Sequence, residues 1–428
     1  ARQGTRCAVL IVDVDRFKLI NETIGPQAGD EVLKAVGHRL RDCLRAADLK
    51  GSTRVPAGEE SIARLGGDEF TILLGDIVDV HQVNLVAQRI VRALSDPIVV
   101  GDHELVLSAS IGISVAPDDG DDTDALLRNA STAMHAAKQD LQHRIRCYDN
   151  AMSVAIGHRV MIETELRRAI QQSELRIYYQ AKVDVRSSRV IGAEALLRWV
   201  HPVRGLTGPL EFIPIAEESG LIVPITQWVI GEVCRQLTAW RAEGRRAVPV
   251  SINLDASSLQ SQVLVKSVAA ALAGNGLDPS SIEFEVTESN LMRDIDQASR
   301  TLHALQDIGV KLSIDDFGTG YSSLTYLKRF PIDVLKIDRS FVKDLLKDKN
   351  GAALTAAIIA MGHSLDLELV AEGVETWEQV DFLAERRCFF VQGFLFARPL
   401  PAAEFAALVQ SGSSGPRAAD PSTADLSA

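Results

Sequence analysis

Six oxygen-bearing side chains in the second half of the chain, Glu194, Asn253, Glu285, Asp315, Asp316 and Glu372, stand at or just after the ends of short apolar, β-branched runs. The runs read VIGAEALL, VPVSINL, IEFEVTES, VKLSIDD and LELVAEG. Carboxylate and carboxamide oxygens are hard donors; brought together, they suit Mg²⁺ or Mn²⁺ and phosphoryl chemistry. Each residue alone has an ordinary reading. A carboxylate at a strand end is commonly a solvated cap, Lys336 a snorkelling surface residue, Asn253 a turn former and Gln392 a satisfied polar group. Six such oxygen donors ending strands together call for a shared purpose.

Positions twenty to sixty residues apart can converge only if the elements between them return the chain to the same face. The stretches between the runs carry helical periodicity, so the pattern is that of repeated βα units. In a βα barrel all strand C-termini open on one face, which would collect the six groups at one site. The first ~150 residues show a more compact α/β alternation. There CAVLIVDVD reads as a buried strand, about 27–45 as an amphipathic helix, and SIARLGGDEFTILL as a hairpin with Gly66 and Gly67 at its turn. Helices near 81–95 and 123–139 flank the strand LVLSASIGISVA, and a charged helical connector follows. The reading divides the chain into a first domain over 1–150, a connector over 151–172, a second domain over 173–410 and a disordered tail over 411–428.

A chain of 428 residues exceeds the usual single core, in keeping with two or three domains. Its formal net charge of −12 argues against broad binding to nucleic acid polymers or anionic membranes, while leaving room for a small phosphate ligand held by a few local cations. The five cysteines (Cys7, Cys43, Cys147, Cys234, Cys388) are scattered, with no CxxC pair, as expected of reduced thiols in a cytoplasmic protein. No apolar stretch reaches the ~20 residues of a membrane span, although a sensory or membrane segment could lie upstream.

The segment from about 160 to 405 resembles an EAL domain, the phosphodiesterase module for cyclic di-GMP. It carries YYQAKVD, EALLRW, FIPIAEESGLI, INLDASSL, FEVTES, DDFGTGYSSL, LKID, AEGVET and QGF in family order. The resemblance implies a (β/α)8-type barrel in which Glu194, Asn253, Glu285 and Asp315 bind one metal ion, and Asp315, Asp316 and Glu372 a second. It further implies that Lys336 orients water or neutralises charge, that Glu372 assists proton transfer, and that Gln392 supports the ligands. Gln180 and Arg198 fall at substrate-contacting positions, Arg198 as a phosphate partner. The loop DDFGTGYSSL, with Gly318, Thr319, Gly320, Ser322 and Ser323, couples metal binding to dimer contacts in the family, anchored by Glu288; an ordinary βα turn is the plainer alternative.

The first ~150 residues resemble a GGDEF domain, the diguanylate cyclase module of ferredoxin- or palm-like α+β fold, through DVDRFKLIN, GD at 29–30 and RLGGDEF. That resemblance implies metal binding by Asp13, Asp68 and the Val14 carbonyl, guanine recognition by Asn21 and Asp30, a phosphate-facing Lys138 and transition-state support from Glu69, with GTP as the ligand. Departures are expected to matter. The sequence opens past the family's N-terminal helix and DxLTGLxNR segment, Pro26 replaces a common His, and Gln142 stands where a triphosphate-facing Arg is usual. The product-inhibition motif RxxD survives as Arg45 and Asp48, but LKGSTRVPAGEES inserts about a dozen residues before the hairpin. In the second domain Ala181 replaces a Pro and Phe389 an Asp, the latter expected to remove a carboxylate near the site rim.

These readings converge on a GGDEF–EAL protein, a homodimer, that hydrolyses cyclic di-GMP to pGpG with two metal ions while its first domain binds GTP and regulates. A bifunctional cyclase/phosphodiesterase and a catalytically silent cyclic di-GMP receptor are the alternatives.

Overall fold

Along the first strand the apolar residues face both ways, and each face meets a different helix. The computed structural model describes residues 6–45, 61–140, 143–318, 329–345 and 348–411. The chain forms two compact units that divide between Met161 and Ile162. In the first, the strands are β1 (Cys7–Val14), β2 (Ser61–Gly66), β3 (Glu69–Leu74), β4 (Ile98–Val100), β5 (His103–Leu105), β6 (Ala109–Ala116) and β7 (Ile145–Cys147). Five of them form one sheet in the order β2-β3-β1-β6-β7, with β1 antiparallel to β3 and β6, and β7 parallel to β6.

Ala8, Leu10, Val12 and Val14 pack with the helices α2 (Pro26–Arg45) and α3 (Val80–Ser95), whereas Val9 and Ile11 pack on α4 (Thr123–Gln139). The period-2 alternation of a strand therefore puts Asp13 on the α4 side. There α4 lies very close to the sheet: a Cβ on Gly112 would come within 2.1 Å of the Ala130 carbonyl oxygen and the Met134 nitrogen. Pro26, unusual by family pattern, opens α2, where its missing N–H costs nothing.

The second unit is a closed barrel of eight strands: β8 (Leu175–Asp184), β9 (Arg189–His201), β11 (Val250–Leu254), β12 (Ile282–Thr287), β13 (Lys311–Phe317), β14 (Val334–Ile337), β15 (Glu368–Ala371) and β16 (Phe390–Gln392). The short strands β10 (Gly205–Thr207) and β17 (Leu400–Pro401) extend it at β9 and β8. Parallel pairing runs from β9 through β16, but β8 is antiparallel to both neighbours. The (β/α)8-type barrel is thus closed, with one strand reversed: β8 and β9 are joined by a tight turn, and a two-stranded hairpin must be antiparallel.

Around the barrel, Ile252, Leu254, Phe284, Val286, Leu312, Ile314, Leu335, Ile337, Leu369 and Val391 are buried in the apolar core. Alternating with them, Ser251, Glu283, Glu285, Ser313, Asp315 and Lys336 are buried polar groups. The barrel therefore keeps its oil outside, against the helices, and holds charge within, unlike the branched apolar layers common in this architecture. Lone charges could not be held there; these are paired with one another.

The connector is a helix, α5 (Asn150–Gln171), but its second half is not a separate element. Ile162, Leu166 and Ala169 belong to the barrel core, and Glu165 accepts hydrogen bonds or ion pairs from Arg204 at 2.5 Å and His201 at 3.3 Å. Residues 46–60, which contain Asp48 and most of the insertion, lie outside the described residues, as do Gln142, Thr319, Gly320, Ser322, Ser323 and the tail from 412. The Arg45 side chain lies outside them as well.

Candidate active site

Lys336 sits at the centre of the barrel mouth with its side chain 0% exposed. Its ammonium contacts Glu285 Oε2 at 2.5 Å, Asp315 Oδ2 at 3.0 Å, Glu194 Oε2 at 3.9 Å, and Glu372 Oε1. Burial alone would drive off its proton, but Asp315, Glu194, Glu285 and Glu372 hold its pKa well above the usual lysine range. It is therefore a fixed positive charge. A surface snorkelling residue is excluded.

The carboxylates divide by their surroundings. Burial would raise Glu285, yet Lys182 and Lys336 hold it down at about 2. Burial raises Glu194, and it raises Glu372 to about 8 because Lys336 only partly offsets it. The crowd of acids around two ammoniums thus disfavours ionisation at Glu372, while the lysines favour it at Glu285. The amides complete the ring. Asn253 donates to Glu194 Oε1 at 2.7 Å, and Gln392 donates to Glu194 Oε2 at 2.5 Å and to Gln180 Oε1 at 3.1 Å.

Every barrel strand contributes to this cluster: Gln180 from β8, Glu194 from β9, Asn253 from β11, Glu285 from β12, Asp315 from β13, Lys336 from β14, Glu372 just after β15 and Gln392 from β16. Two adjacent aspartates would ordinarily point to opposite faces of a strand. At Asp316 the backbone turns to φ 53°, and the β13–β14 register shifts between Ile314 and Phe317. The left-handed residue breaks the alternation at a bulge, a conformation that Asp tolerates better than most. Burial and the neighbouring Asp315 and Asp338 raise the Asp316 carboxyl above its usual range.

Glu194 departs from the expected position. It lies in the middle of the 13-residue β9 rather than at its end, because the β8–β9 ladder continues from Asp184–Arg189 up to Leu175–Trp199. The six oxygen residues also come from five strands, since Asp315 and Asp316 share β13. Phe389 is the other correction. It precedes β16, three residues before Gln392, so it lies about 10 Å toward the opposite end of the barrel. Its ring stacks under Arg186 at 4.5 Å, and its replacement of an Asp takes no carboxylate from the site rim.

Arg198 is on β9, four residues beyond Glu194 and on the same face. Its guanidinium donates to the Leu197 carbonyl at 2.9 Å and lies 5.7 Å from the Tyr178 ring centroid. Glu288 is buried, and its Oε2 accepts from the Gly318 N–H at 3.4 Å, next to the undescribed part of the loop. A cavity of about 170 Å³ is lined by Gln180, Glu194, Glu372 and Gln392, together with Arg339 and Phe394. A larger, mostly apolar cavity of about 280 Å³ is lined by Asn253 and runs between β9, β11 and the helix Ile222–Ala242.

The donor set consists of hard oxygens and so suits Mg²⁺ or Mn²⁺. Among the described residues no three His, Cys, Asp or Glu side chains are arranged to hold an ion as they stand, and the Lys336 ammonium lies among the carboxylates. The place is already one that favours positive charge.

In the first unit the implied groups are brought together more loosely. Asp13 Oδ2 pairs with Lys138 at 2.7 Å, while the buried Oδ1 has no partner. Burial pushes this carboxyl up to about 6, against the pull of Lys138. Asp13 faces Glu69 across β1–β3, and Asp68 lies on the hairpin turn, its carbonyl accepting from the Val14 N–H at 3.4 Å. Gly67 takes the turn's positive φ of 54°, and Arg64 donates to the Gly67 carbonyl at 2.7 and 2.9 Å. Asn21 Oδ1 is buried without a partner, and a Cβ at Gly29 would lie 1.9 Å from it. Asp30 is exposed on α2.

Sequence reasoning misses several participants. Lys182, Ser251 and Glu283 underlie Glu285; Arg339 and Phe394 line the smaller cavity; and Arg144 pairs with Asp15, which also accepts from Ser110 at 2.8 Å. A signal exists for the first group: Lys182 is two residues from Gln180, and Glu283 two from Glu285, so strand periodicity puts both on the inward face. All five cysteines are free, and among the described residues no helix is long and apolar enough to cross a membrane.

Residues 163–399 match the family model of the EAL domain, and residues 1–144 match that of the diguanylate cyclase GGDEF domain. The chain is 40% identical over 401 residues to the cyclic di-GMP phosphodiesterase NbdA of Pseudomonas aeruginosa, covering 94% of this chain and 50% of that protein. It is 42% identical over 408 residues to the bifunctional diguanylate cyclase/cyclic di-GMP phosphodiesterase MucR of the same organism, covering 95% and 58%. The chain thus spans about half the length of these relatives. Among solved structures, the PaMucR phosphodiesterase in complex with c-di-GMP is 47% identical, with a TM-score of 0.55 over 57% of this chain and 99% of that one. The EAL enzyme Bd1971, bound to cAMP and cyclic di-GMP, is 28% identical, with a TM-score of 0.58 over 72% and 82%.

Proposed function

The chain belongs to the EAL family and carries a GGDEF domain in tandem with its EAL domain, and on that premise we propose that its barrel hydrolyses cyclic di-GMP to pGpG with divalent metal. The observation that carries this reading is the ring of seven polar groups, from the other seven barrel strands, closed around a permanently charged Lys336. Glu194, Asn253, Glu285 and Asp315 would hold one ion, and Asp315, Asp316 and Glu372 a second. Divalent cations there supply Lewis acidity, activating water as a nucleophile and neutralising charge on the phosphate.

The chain's own residues do the rest. Lys336, too firmly protonated to act as an acid, fixes the carboxylates and offsets the negative charge that builds on the phosphodiester. Glu372 would assist proton transfer to the departing 3′ oxygen. Arg198 contacts a phosphate. Gln392, whose Oε1 has no partner, offers an acceptor toward the smaller cavity, beside Gln180. The two cavities, about 170 and 280 Å³, suit the two bases of a cyclic dinucleotide.

The first unit is proposed to bind GTP, with Asp13 and Asp68 toward metal, Asn21 and Asp30 toward guanine, and Lys138 toward phosphate, and to regulate the barrel from there. Its unpartnered Asp13 and Asn21 oxygens support that reading. The likeness to a relative named as bifunctional favours a second reading, in which the unit also makes cyclic di-GMP and two chains pair as a homodimer to do so. The free thiols suit action in the reducing cytoplasm.

One product assay tests these readings together. Cyclic di-GMP with Mg²⁺ or Mn²⁺ should yield pGpG, and chelation should stop it; tight binding without turnover would make the barrel a receptor instead. GTP alone should yield little or no cyclic di-GMP, and robust synthesis would establish the bifunctional reading.

A further inference from the structure

Beneath the catalytic ring lies a second charged layer that the reaction does not touch. Lys182 on β8 is 6% exposed, and its ammonium donates to Ser251 Oγ at 2.5 Å, Glu285 Oε1 at 2.8 Å and Glu283 Oε1 at 2.9 Å. Glu285 is consequently held from two sides. Lys182 takes one carboxylate oxygen and Lys336 the other, so the plane of the group is fixed.

Holding a ligand by a cation has a drawback. An ammonium that binds Glu285 also cancels its charge, and with it the attraction for a divalent ion. Glu283 removes that drawback. It is buried two residues before Glu285 on the same face of β12 and gives Lys182 a counter-ion of its own. A buried ion pair of this kind contributes little net stability compared with apolar residues of the same volume. Its persistence here needs another reason.

We infer that Lys182 and Glu283 are positioning residues for the proposed metal site: Lys182 aims Glu285 by hydrogen bonding, and Glu283 neutralises Lys182 so that Glu285 keeps its negative charge for the ion. The inference rests on the metal-dependent reading of the barrel and deepens it. It distinguishes aim from charge, which two variants of the full chain separate. Glu283→Gln keeps the shape and a hydrogen-bond acceptor but leaves Lys182 without its counter-ion. Lys182→Met combined with Glu283→Gln restores neutrality but frees Glu285 to turn.

The measurements are the Mg²⁺ and Mn²⁺ dissociation constants by calorimetry without nucleotide, the melting midpoint, and kcat and KM for cyclic di-GMP at saturating metal. Glu283→Gln should weaken metal binding at least fivefold, and its midpoint should fall as well because Lys182 is left buried without its counter-ion. The double variant should regain wild-type metal affinity to within about twofold of its value, while kcat falls at least tenfold with KM unchanged. A merely structural pair would move the midpoint and leave metal affinity and kcat alone, and that result in folded protein overturns the inference. If Glu283→Gln does not fold, the double variant, which buries no unpaired charge, decides: wild-type kcat in it is equally fatal. Failure of the wild-type chain itself to bind either metal would instead count against the proposed function.

Discussion

The two units handle buried carboxylates in opposite ways. In the barrel, Glu285 is fully buried yet fully ionised, because Lys182 and Lys336 flank it and hold it at about 2. In the first unit, Asp13 is just as hidden, but it has one half-exposed lysine and an unpartnered oxygen, and burial raises it to about 6. In the barrel site eight strands each supply a group, and its two lysines are each surrounded by carboxylates, although Gln392 Oε1 keeps no hydrogen-bond partner. The other site lies at the ends of β1 and of a hairpin turn, and part of its hydrogen-bonding capacity is left for something else to fill.

The comparison breaks first at Lys336. Lys336→Met should lower cyclic di-GMP turnover by about two to three orders of magnitude. Leaving its carboxylates facing one another should also cost about 3–5 kcal/mol of barrel stability. The four tryptophans, Trp199, Trp228, Trp240 and Trp377, all lie in the barrel unit, so their fluorescence follows its unfolding alone. Asp315→Asn separates chemistry from fold. It should abolish turnover with the fluorescence melt largely retained; near-normal hydrolysis by a folded variant would remove the shared ligand.

A smaller effect is expected outside the ring. Arg198 touches a ring and a backbone carbonyl rather than the cluster, so Arg198→Ala should raise KM by an amount worth about 1.5–3 kcal/mol and spare metal affinity. Unchanged steady-state kinetics would exclude it from the substrate site.

Asp13 sharpens the contrast through pH. Its folded-state pKa is raised from 3.8 to about 6, so the folded unit keeps a proton that the unfolded chain has lost between those values. The first unit should therefore lose stability as pH rises through that window, by roughly 2–3 kcal/mol in all. Hydrogen exchange of β1 amides, corrected for intrinsic rates, should show the slope, and Asp13→Asn should flatten it. A slope that survives the substitution belongs to another group.

The mildest change concerns the nucleotide contact alone. Gly29→Ala would press a methyl group onto Asn21 Oδ1, now 1.9 Å from where the Cβ would stand. GTP binding should weaken several-fold, read by calorimetry, while basal hydrolysis by the barrel stays the same. Unaltered GTP affinity would detach Asn21 from guanine recognition.

Much of the fold and the site is legible in the sequence, though unevenly. The strand runs around Asn253, Glu285 and Asp315 appear where their β-branched alternation puts them, because apolar positions spaced by two commit a segment to a sheet with one side buried. The place of Glu194 along its strand is not legible. Nothing in VIGAEALL says that the strand continues past Arg198, since that length is set by pairing with β8. Phe389 misleads for a related reason: β16 is only three residues long, and where so short a strand begins is set by its pairing with β15 and β8.

Residue types, their spacing and the alternation that turns each strand's polar side inward are properties of the chain before it folds, and so are the families that its motifs resemble. Other features exist only once the barrel has closed. Lys336 is then the hub rather than a surface residue, β8 runs against its neighbours, and Lys182 and Glu283 brace Glu285 from below. The physical reason is that a charge is tolerated in a protein interior only through partners brought from other strands. Those partners stand 21 to 198 residues away in the chain, and no local pattern can report them.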